Sequence, residues 1–225
     1  KRYTRISKIA RTKDKDAVRE LEILEKIKTT LEEGKSARTI EFTPEEEPLV
    51  KSLFLLTTKP VLYVANISEE DVIAGGDNEM VQAVREFAAT EGAEVVTVCA
   101  RIEEEVAELD DEEKAEFLAE LGIKESGLDQ LIRKAYTLLG LGTYFTAGEK
   151  EVRAWTFRLG MKAPQTAGII HTDFERGFIR AETVSYADLL AYGSMQAAKE
   201  AGKVRLEGKD YVVQDGDVME FRFNV

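Results

Sequence analysis

The stretch Lys59-Pro60-Val61-Leu62-Tyr63-Val64-Ala65-Asn66-Ile67-Ser68-Glu69 decides how this chain folds. It opens with a run of aliphatic, β-branched and aromatic residues that begins after Lys59-Pro60 and stops at Asn66, which is typical of a buried parallel strand. Open α/β sheets bind ligands in the crevice at the carboxyl ends of such strands. The sequence therefore predicts an α/β sheet whose ligand-binding edge carries Asn66 and the three residues after it.

The segment Asn66-Ile67-Ser68-Glu69 keeps the spacing of the Asn-Lys-x-Asp loop of P-loop GTPases but changes its chemistry. The aspartate of that loop accepts hydrogen bonds from N1 and N2 of guanine, and adenine has neither donor. An Asn side chain can accept from adenine N6 and donate to N7, as it does on adenine in DNA. We therefore predict a purine site that favours adenine. The alternative is that Asn66 simply caps a turn.

A second buried strand is predicted at Glu94 to Cys99, and Cys99-Ala100-Arg101 follows at its end. This tripeptide resembles the Ser-Ala-Lys loop that backs the base in P-loop GTPases, with Cys in place of Ser and Arg in place of Lys. We predict that Cys99, Ala100 and Arg101 contact the base, the alternative being an ordinary strand-to-helix turn. Cys99 is expected to be a small buried residue rather than a reactive thiol.

Four longer stretches resemble the YchF-type Obg-like ATPases, namely Leu53 to Asn66, Gly142 to Trp155, Gly168 to Arg180 and Tyr211 to Val225. That family also carries Asn-x-x-Glu where most relatives carry Asn-Lys-x-Asp. The resemblance implies a cytoplasmic P-loop NTPase that binds the large ribosomal subunit or RNA. It also implies that the intact protein uses Mg²⁺ to hydrolyse ATP, and GTP less well.

One motif of that family is missing from this sequence. No Gly-x-x-x-x-Gly-Lys-Ser/Thr occurs, so the chain has no loop to cradle phosphates and no hydroxyl from that loop to bind magnesium. Gly140, Gly142 and Gly148 are not followed by Lys-Ser or Lys-Thr, and the residues between them are predicted to form a strand. We expect the chain to be the C-terminal part of a longer protein, and we assign it no catalytic residue.

The charge of the chain is unevenly distributed. Its net charge is -12, with +6 in residues 1–15, -17 in residues 16–138 and -1 in residues 139–225. An acidic molecule repels nucleic acid at long range, so RNA contacts would be local. The candidate contacts are basic residues of the N-terminal helix and of the C-terminal part: Lys1, Arg2, Arg5, Lys8, Arg11, Arg176, Arg180, Lys203, Arg205 and Lys209. For the N-terminal group, the alternative is a solvated helix face.

Composition argues against several other classes of protein. No run approaches the roughly 18 apolar residues that span a bilayer, and no signal-peptide pattern opens the chain. Cys99 is the only cysteine, so an internal disulfide is impossible, which suits a reducing compartment. With one Cys and one His, a structural zinc site is not expected. We expect no metal site in this chain, and neither a membrane nor DNA as a partner.

Residues 1–40 predict a helical hairpin. Apolar positions at Ile6, Ile9 and Ala10 mark a short helix, and a second stripe ends at Gly34 and comprises Ala17, Leu21, Leu24, Ile27 and Leu31. Thr43-Pro44-Glu45-Glu46 predicts an N-cap, a first-turn proline and a capping-box glutamate for the next helix. The resemblance implies a projecting coiled-coil arm in residues 1–40, followed by the end of a P-loop NTPase domain in residues 41–139.

Further helices are predicted between the two loops and the C-terminal part. Asp77 is expected to cap a helix that runs to about Glu91, and Ser126 to cap one that contains Leu128. The acidic stretch from Glu103 to Glu120 is predicted to form the solvent-exposed face of two helices. Their inward positions would be Ile102, Val106, Leu109, Phe117 and Leu121.

Residues 140–225 predict a separate α+β domain. Strands are expected at 143–147, 152–158, 178–182, 204–206, 211–213 and 218–223, with helices near 165–170, from 186 and near 195–201. This order suggests a β-grasp fold, and the resemblance implies a TGS domain with a regulatory or RNA-directed role. Asp215-Gly216-Asp217 is predicted to be a hairpin turn rather than a metal loop, and His171 a structural turn residue rather than a catalytic one.

Two classes of function follow from these observations. The first is a nucleotide hydrolase to which this chain contributes base recognition, the helical arm and the TGS domain. The second is a binding module in which arm and TGS domain contact the ribosome or RNA. Without a P-loop, the chain alone is expected to act only in the second way.

Overall fold

The structure is a computed structural model that describes residues 1–148 and 151–224. Glu149, Lys150 and Val225 belong to two of the stretches that resemble the Obg-like ATPases and lie outside the described residues. The chain divides into two compact units, Lys1–Lys134 and Ala135–Val225. Both units combine helices with β-strands, so the general α/β and α+β character is confirmed.

Unit 1 begins with two helices, α1 (Arg2–Ala10) and α2 (Lys15–Glu32). Asp14 caps α2 by accepting a hydrogen bond from the Ala17 amide at 2.8 Å. The predicted stripe missed Ile23, which is only 1% exposed, while Leu31 is 39% exposed. The reason is that α2 packs on two partners, since Ile23 and Ile27 form a cluster with Ala37 and Val50 from the segment that follows.

The next helix, α3 (Glu47–Lys51), lies between two short 3₁₀ helices at Ala37–Thr39 and Leu56–Thr58. The predicted cap at Thr43 is wrong in position. The Thr43 amide does donate a hydrogen bond to the Glu46 carboxylate at 2.9 Å. However, Thr43 belongs to a separate turn that precedes the helix. A continuous helix from Pro44 is excluded because Pro48 has no N–H to donate to the carbonyl four residues earlier.

Two parallel strands follow, β1 (Leu62–Asn66) and β2 (Glu94–Val98), in the register Leu62↔Glu94 to Asn66↔Val98. The predicted parallel pairing is confirmed. The predicted burial is only partial, because Val64 is 48% exposed. Among the described residues this sheet has two strands, which leaves part of its surface uncovered.

The strands are connected by α4 (Glu69–Ile73) and α5 (Glu79–Thr90). The predicted cap at Asp77 is wrong, because Asn78 accepts the Val81 amide at 2.9 Å. An N-cap side chain reaches the amide three residues on, and Asn78 is the residue at that distance from Val81. Asp77 instead accepts a hydrogen bond from the Gln82 side chain.

Unit 1 continues with α6 (Ala100–Val106), α7 (Asp111–Glu120) and α8 (Gly127–Leu139), the last of which runs into unit 2. The two predicted acidic helices are confirmed. The buried residues on their inner faces, Ile102, Val106 and Leu118, form a core together with Cys99. Ser126 caps α8 as predicted, with its hydroxyl oxygen 3.1 Å from the Asp129 amide.

Unit 2 contains a sheet formed by five strands of the described residues: β3 (Leu141–Ala147), β4 (Val152–Arg158), β5 (Phe178–Ser185), β6 (Arg205–Glu207) and β7 (Asp217–Phe223). Their order in the sheet is β4-β3-β7-β5-β6. Among the described residues, the β3/β7 pair is parallel and the other pairs are antiparallel. The helices are α9 (Ala163–Ile170), α10 (Thr172–Arg176), α11 (Tyr186–Tyr192) and α12 (Met195–Glu200).

The core of unit 2 forms where α9 packs on the sheet. Ala163 and Ala167 are fully buried, and these small residues let the helix approach Tyr144, Phe157 and Met219. Tyr144 donates a hydrogen bond from its hydroxyl to the Thr166 carbonyl at 2.8 Å, so its polar end is satisfied inside the core. Burial raises the pKa of Tyr144 far above its usual value.

One predicted strand of unit 2 is wrong. Tyr211 to Val213 forms only an isolated bridge, Lys162↔Val212. The backbone of this segment pairs with the turn before α9, because Ala163 donates to the Tyr211 carbonyl and Val213 donates to the Met161 carbonyl. A turn is present at Asp215-Gly216, with Gly216 at φ +82, but it is not the predicted hairpin turn, because β7 pairs with β3 and β5 and not with the segment before the turn.

Candidate functional site

The ends of β1 and β2 lie side by side. Asn66 is opposite Val98 in the parallel register, and the Ile67 amide donates to the Val98 carbonyl at 2.9 Å. This last hydrogen bond extends the pairing one residue beyond the strand. The two predicted loops, which are more than 30 residues apart in sequence, therefore leave the sheet together at one edge.

Asn66 joins the two loops directly. Its side-chain oxygen accepts a hydrogen bond from the Ala100 amide at 3.1 Å. A carboxamide oxygen has two lone pairs and its nitrogen has two N–H donors, so this bond leaves both an acceptor position and the donors for a ligand. Because Asn66 is exposed, its remaining groups face solvent.

Ser68 has a structural role at the start of α4. Its hydroxyl accepts from the Asp71 amide at 3.2 Å and donates to the Asp71 carboxylate at 2.8 Å. The hydrogen bond from Ser68 holds the pKa of Asp71 below its usual value. This cap positions Glu69 as the first residue of the helix, beside the crevice.

Glu69 contacts Arg101 from the opposite loop. Arg101 Nε lies 2.7 Å from Glu69 Oε1 and 3.9 Å from Glu105 Oε1, so Glu69 is the nearer of the two carboxylates. The Oε1 atom is shielded from solvent, and it accepts no hydrogen bond with favourable angles. The contact is therefore an ion pair in which the N–H···O angle at the guanidinium is unfavourable for a hydrogen bond.

The two loops border an open crevice of about 480 Å³. The structure brings all seven residues predicted for the base into its lining, together with Glu70: Asn66, Ile67, Ser68, Glu69, Cys99, Ala100 and Arg101. Cys99 is 6% exposed, which agrees with a small buried residue. The sequence did not indicate Glu70, which lies in the first turn of α4 between two other acidic residues, Glu69 and Asp71.

A smaller cavity of about 220 Å³ adjoins the crevice and shares Ile67 and Cys99 with it. Glu103 lines it and caps α8, accepting hydrogen bonds from the Gly127 amide at 2.6 Å and the Leu128 amide at 3.2 Å. A carboxylate is favourable at this helix end because the first amides of a helix carry partial positive charge. No sequence signal indicated the contact, since its partners are 24 residues apart.

A polar cluster around Glu91 contacts β1 through Tyr63. Glu91 accepts hydrogen bonds from Ser36 at 2.7 Å, Tyr63 at 2.8 Å and Arg38 at 3.0 Å. The hydrogen bonds from Ser36 and Tyr63 lower the pKa of Glu91, and the same bond to Glu91 raises the pKa of Tyr63. The segment after α2 is thereby tied to the strand that ends in Asn66.

The basic candidates for RNA contact fall into two groups. Arg2 is paired with Glu20 at 2.6 Å, Lys203 with Asp188 at 3.5 Å, and Arg205 with Glu207 at 2.8 Å. Arg205 also donates to the Tyr211 hydroxyl at 2.9 Å. The others are exposed and have no ion-pair partner in residues 1–148 and 151–224: Lys1, Arg5, Lys8, Arg11, Arg176, Arg180 and Lys209.

The remaining polar residues do not form a cluster suited to a metal ion within the part of the chain that is described. No group of three or more His, Cys, Asp or Glu side chains there is arranged to hold a metal ion. His171 ends α9 and caps α10, where its Nδ1 accepts the Asp173 amide at 3.2 Å. No described helix combines the length and apolar composition of a membrane span.

The fold and its paired loops are those of a mixed α/β protein similar to a solved GTPase. The structure of the Schizosaccharomyces pombe YchF GTPase matches with a TM-score of 0.82 at 36% sequence identity. The match covers 92% of this chain and 55% of that chain.

Sequence comparisons agree with the structural match. The Bacillus subtilis protein called ribosome-binding ATPase YchF is 68% identical over all of this chain, and the Haemophilus influenzae protein of the same name is 55% identical over 98% of it. Residues 141–224 match the family model YchF-GTPase_C, described as a protein of unknown function (DUF933). The chain belongs to the YchF family, as the quoted motifs predicted. It spans 62% and 60% of the length of these two relatives.

Proposed function

We propose that this chain forms the base-recognition side of a nucleotide site in a ribosome-associated ATPase of the YchF family. The observation that carries the proposal is the crevice of about 480 Å³ at the ends of two parallel strands, lined by all seven residues of the two loops. The names of the relatives, which are ribosome-binding ATPases, support the same class of activity. In the complete protein, the site takes ATP in preference to GTP.

Asn66 carries the preference for adenine in this proposal. The hydrogen bond from Ala100 holds the carboxamide of Asn66 in place, so less conformational entropy is lost on binding. The carboxamide then accepts from adenine N6 through its free lone pair and donates to N7. Guanine presents acceptors at both O6 and N7, so at this edge it has no N–H that could donate to the carboxamide oxygen of Asn66.

Phosphate and Mg²⁺ chemistry is assigned to the rest of the complete protein. The sequence has no Gly-x-x-x-x-Gly-Lys-Ser/Thr, and the described residues offer no carboxylate or imidazole cluster for a cation. The donor set present here therefore does not fit the phosphate and magnesium part of the site. We expect no release of phosphate from ATP or GTP above background by this 225-residue chain alone. Magnesium-dependent hydrolysis that co-purifies with the chain would contradict this assignment.

Base choice is tested by changing the loop toward its GTPase form. In the complete protein, Glu69→Asp combined with Ile67→Lys restores the Asn-Lys-x-Asp pattern and is expected to shift preference toward GTP. Titrations of ATP and GTP against wild type and the double variant measure the ratio of the two dissociation constants. An unchanged ratio would show that the loop is not the main selector of the base.

We further propose that the two units act as a cytoplasmic module that contacts the ribosome or RNA. Residues 1–40 would form a coiled-coil arm, residues 41–139 the end of the NTPase domain, and residues 140–225 a TGS domain of β-grasp type. Support comes from the packed pair α1 and α2 and from the five-stranded sheet with α9 on one face. The observation that favours RNA contact is the set of exposed, unpaired cations in residues 1–148 and 151–224, which leaves positive charge available to phosphates.

Co-sedimentation with ribosomes tests this second function. The chain is expected to pellet with ribosomes at low salt and to be released steeply as salt rises, because phosphate contacts release counterions. Reversing charge at Arg176, Arg180 and Lys209 should reduce pelleting. Failure of the folded wild-type chain to pellet at low salt would refute the binding module.

The charge-matched control reverses three cations that are already paired in unit 1. Arg19, Lys28 and Lys51 contact Glu45, Glu32 and Glu47 at 3.1, 3.6 and 2.7 Å. Reversing them changes the net charge by the same amount as the first triple. A specific contact by unit 2 predicts a larger loss for Arg176, Arg180 and Lys209 than for this control, whereas equal losses would mean that only net charge matters.

A further inference from the structure

We infer that Arg101 is a specificity-determining residue that disfavours guanine by engaging the Glu69 carboxylate. The inference rests on the proposed nucleotide site and names the residue that sets its base preference. A free carboxylate at Glu69 could accept hydrogen bonds from the N1 and N2 donors of guanine, in the way that the aspartate of the Asn-Lys-x-Asp loop does. Arg101 places its guanidinium 2.7 Å from one oxygen of that carboxylate, Oε1, so guanine, whose two donors need both oxygens, would meet a cation at one of them.

The geometry of the crevice supports this assignment. Glu69 opens α4 and Arg101 lies in the first turn of α6, so each loop contributes one partner of the pair. The Nε to Oε1 distance is 2.7 Å. Among the described residues that line the crevice, Arg101 is the one cation, and the lining also includes two carboxylates, Glu69 and Glu70. The competing contact to Glu105 is longer at 3.9 Å, so the guanidinium is held toward the crevice.

The pairing changes which hydrogen-bond partners the crevice offers. Guanine presents N1–H and N2–H₂, which are donors, and the guanidinium of Arg101 has only donors to place opposite them. Adenine presents an unprotonated N1, which can accept from a guanidinium N–H. A guanine base would therefore have to displace Arg101 from Oε1 of Glu69 or share the remaining carboxylate oxygen between its two donors. Either alternative weakens guanine binding relative to adenine binding.

A purely structural role for the pair predicts a different outcome. The side chains of Arg101 and Glu69 are 75% and 40% exposed. Ion pairs this exposed contribute little to folding, so Arg101→Ala is expected to leave the protein folded. If Arg101 only joined α4 to α6, its removal would change binding of all nucleotides alike. The ratio of affinities for guanine and adenine nucleotides separates the two roles.

The experiment measures dissociation constants of ADP, GDP and IDP for the complete protein and its variants. Arg101→Ala is expected to raise the affinity for GDP relative to ADP roughly tenfold, because the freed carboxylate gains charge-assisted hydrogen bonds. IDP has the N1 donor of guanine without the 2-amino group, so its gain should be smaller. Adding Glu69→Gln to Arg101→Ala should return the ratio to near the wild-type value.

Two further variants make the result decisive. Arg85→Ala removes an exposed arginine of α5 that pairs with Asp77 at 3.6 Å, and it should leave the ratio unchanged. Asn66→Ala tests the proposed site itself. A GDP to ADP ratio within about twofold of wild type in Arg101→Ala, with ADP binding weakened in Asn66→Ala, overturns the inference and keeps the site. A raised ratio that survives Glu69→Gln also overturns it. Unchanged ADP binding in Asn66→Ala overturns both.

Discussion

Replacing Asn66 by Asp separates the two roles that its side chain has in the crevice. Asp keeps an oxygen that can accept from the Ala100 amide, now 3.1 Å away, so the tie between the loops is retained. It loses the N–H donors that we assign to adenine N7, and it adds a negative charge beside Glu69 and Glu70. Asn66→Ala, in contrast, removes both the tie and the ligand contact.

The expected magnitudes follow from these contacts. The exposed hydrogen bond to Ala100 contributes about 0.5–1.5 kcal/mol to stability, so Asn66→Ala should lower the melting temperature slightly and Asn66→Asp should not. A bidentate Asn contact to adenine discriminates by about 1–3 kcal/mol. Losing it in Asn66→Ala corresponds to a loss of ADP affinity of about 5- to 150-fold, and Asn66→Asp, which keeps an acceptor for N6, should fall toward the lower end of that range.

The assay is a titration of ADP against the complete protein, with a thermal unfolding curve for each variant. Asn78→Asp is the matched control. Asn78 caps α5 by accepting the Val81 amide at 2.9 Å, and Asp caps a helix equally well. Like Asn66→Asp, Asn78→Asp adds one negative charge to unit 1, but at a residue outside the crevice lining. The role assigned to Asn66 would be refuted if the Asn66→Asp variant bound ADP as tightly as the Asn78→Asp variant does.

Three further predictions concern stability. Burial and the hydrogen bond to Asp217 raise the pKa of Tyr211 to about 12, above its unfolded value of about 10. The neutral phenol therefore stabilises unit 2 below pH 10, stability should be lost as pH rises through 12, and Tyr211→Phe should flatten part of this slope in thermal melts. Asp217→Ala should cost about 1–3 kcal/mol in urea unfolding, because it leaves the partly buried Tyr211 hydroxyl and Gln214 amide without their acceptor, and a cost near zero would contradict the network. Ile23→Ala should cost about 2–5 kcal/mol and the half-exposed Leu31→Ala clearly less, which the same unfolding curves compare.

The elements that the sequence predicted correctly depend on local patterns. The apolar run before Asn66 and the strand before Cys99 are both present as strands, because runs of β-branched and apolar residues bounded by turn signals favour strands. The cap of α5 was misplaced because Asp77 and Asn78 are both good N-cap residues, and the backbone chooses between them. Tyr211 to Val213 has the composition of a strand, but its backbone found partners in the turn before α9.

The sequence by itself determined the family, the two strands and the two polar loops that follow them. These depend on residue types and spacings within short segments, which the printed sequence contains in full. Only the tertiary structure decided that Asn66 bonds to Ala100 and that Glu69 pairs with Arg101. Each of these contacts joins residues more than 30 positions apart, and each depends on the register of β1 against β2. A shift of that register by one residue would move one loop relative to the other along the edge of the sheet and separate these partners, which is why no local pattern could predict the contacts.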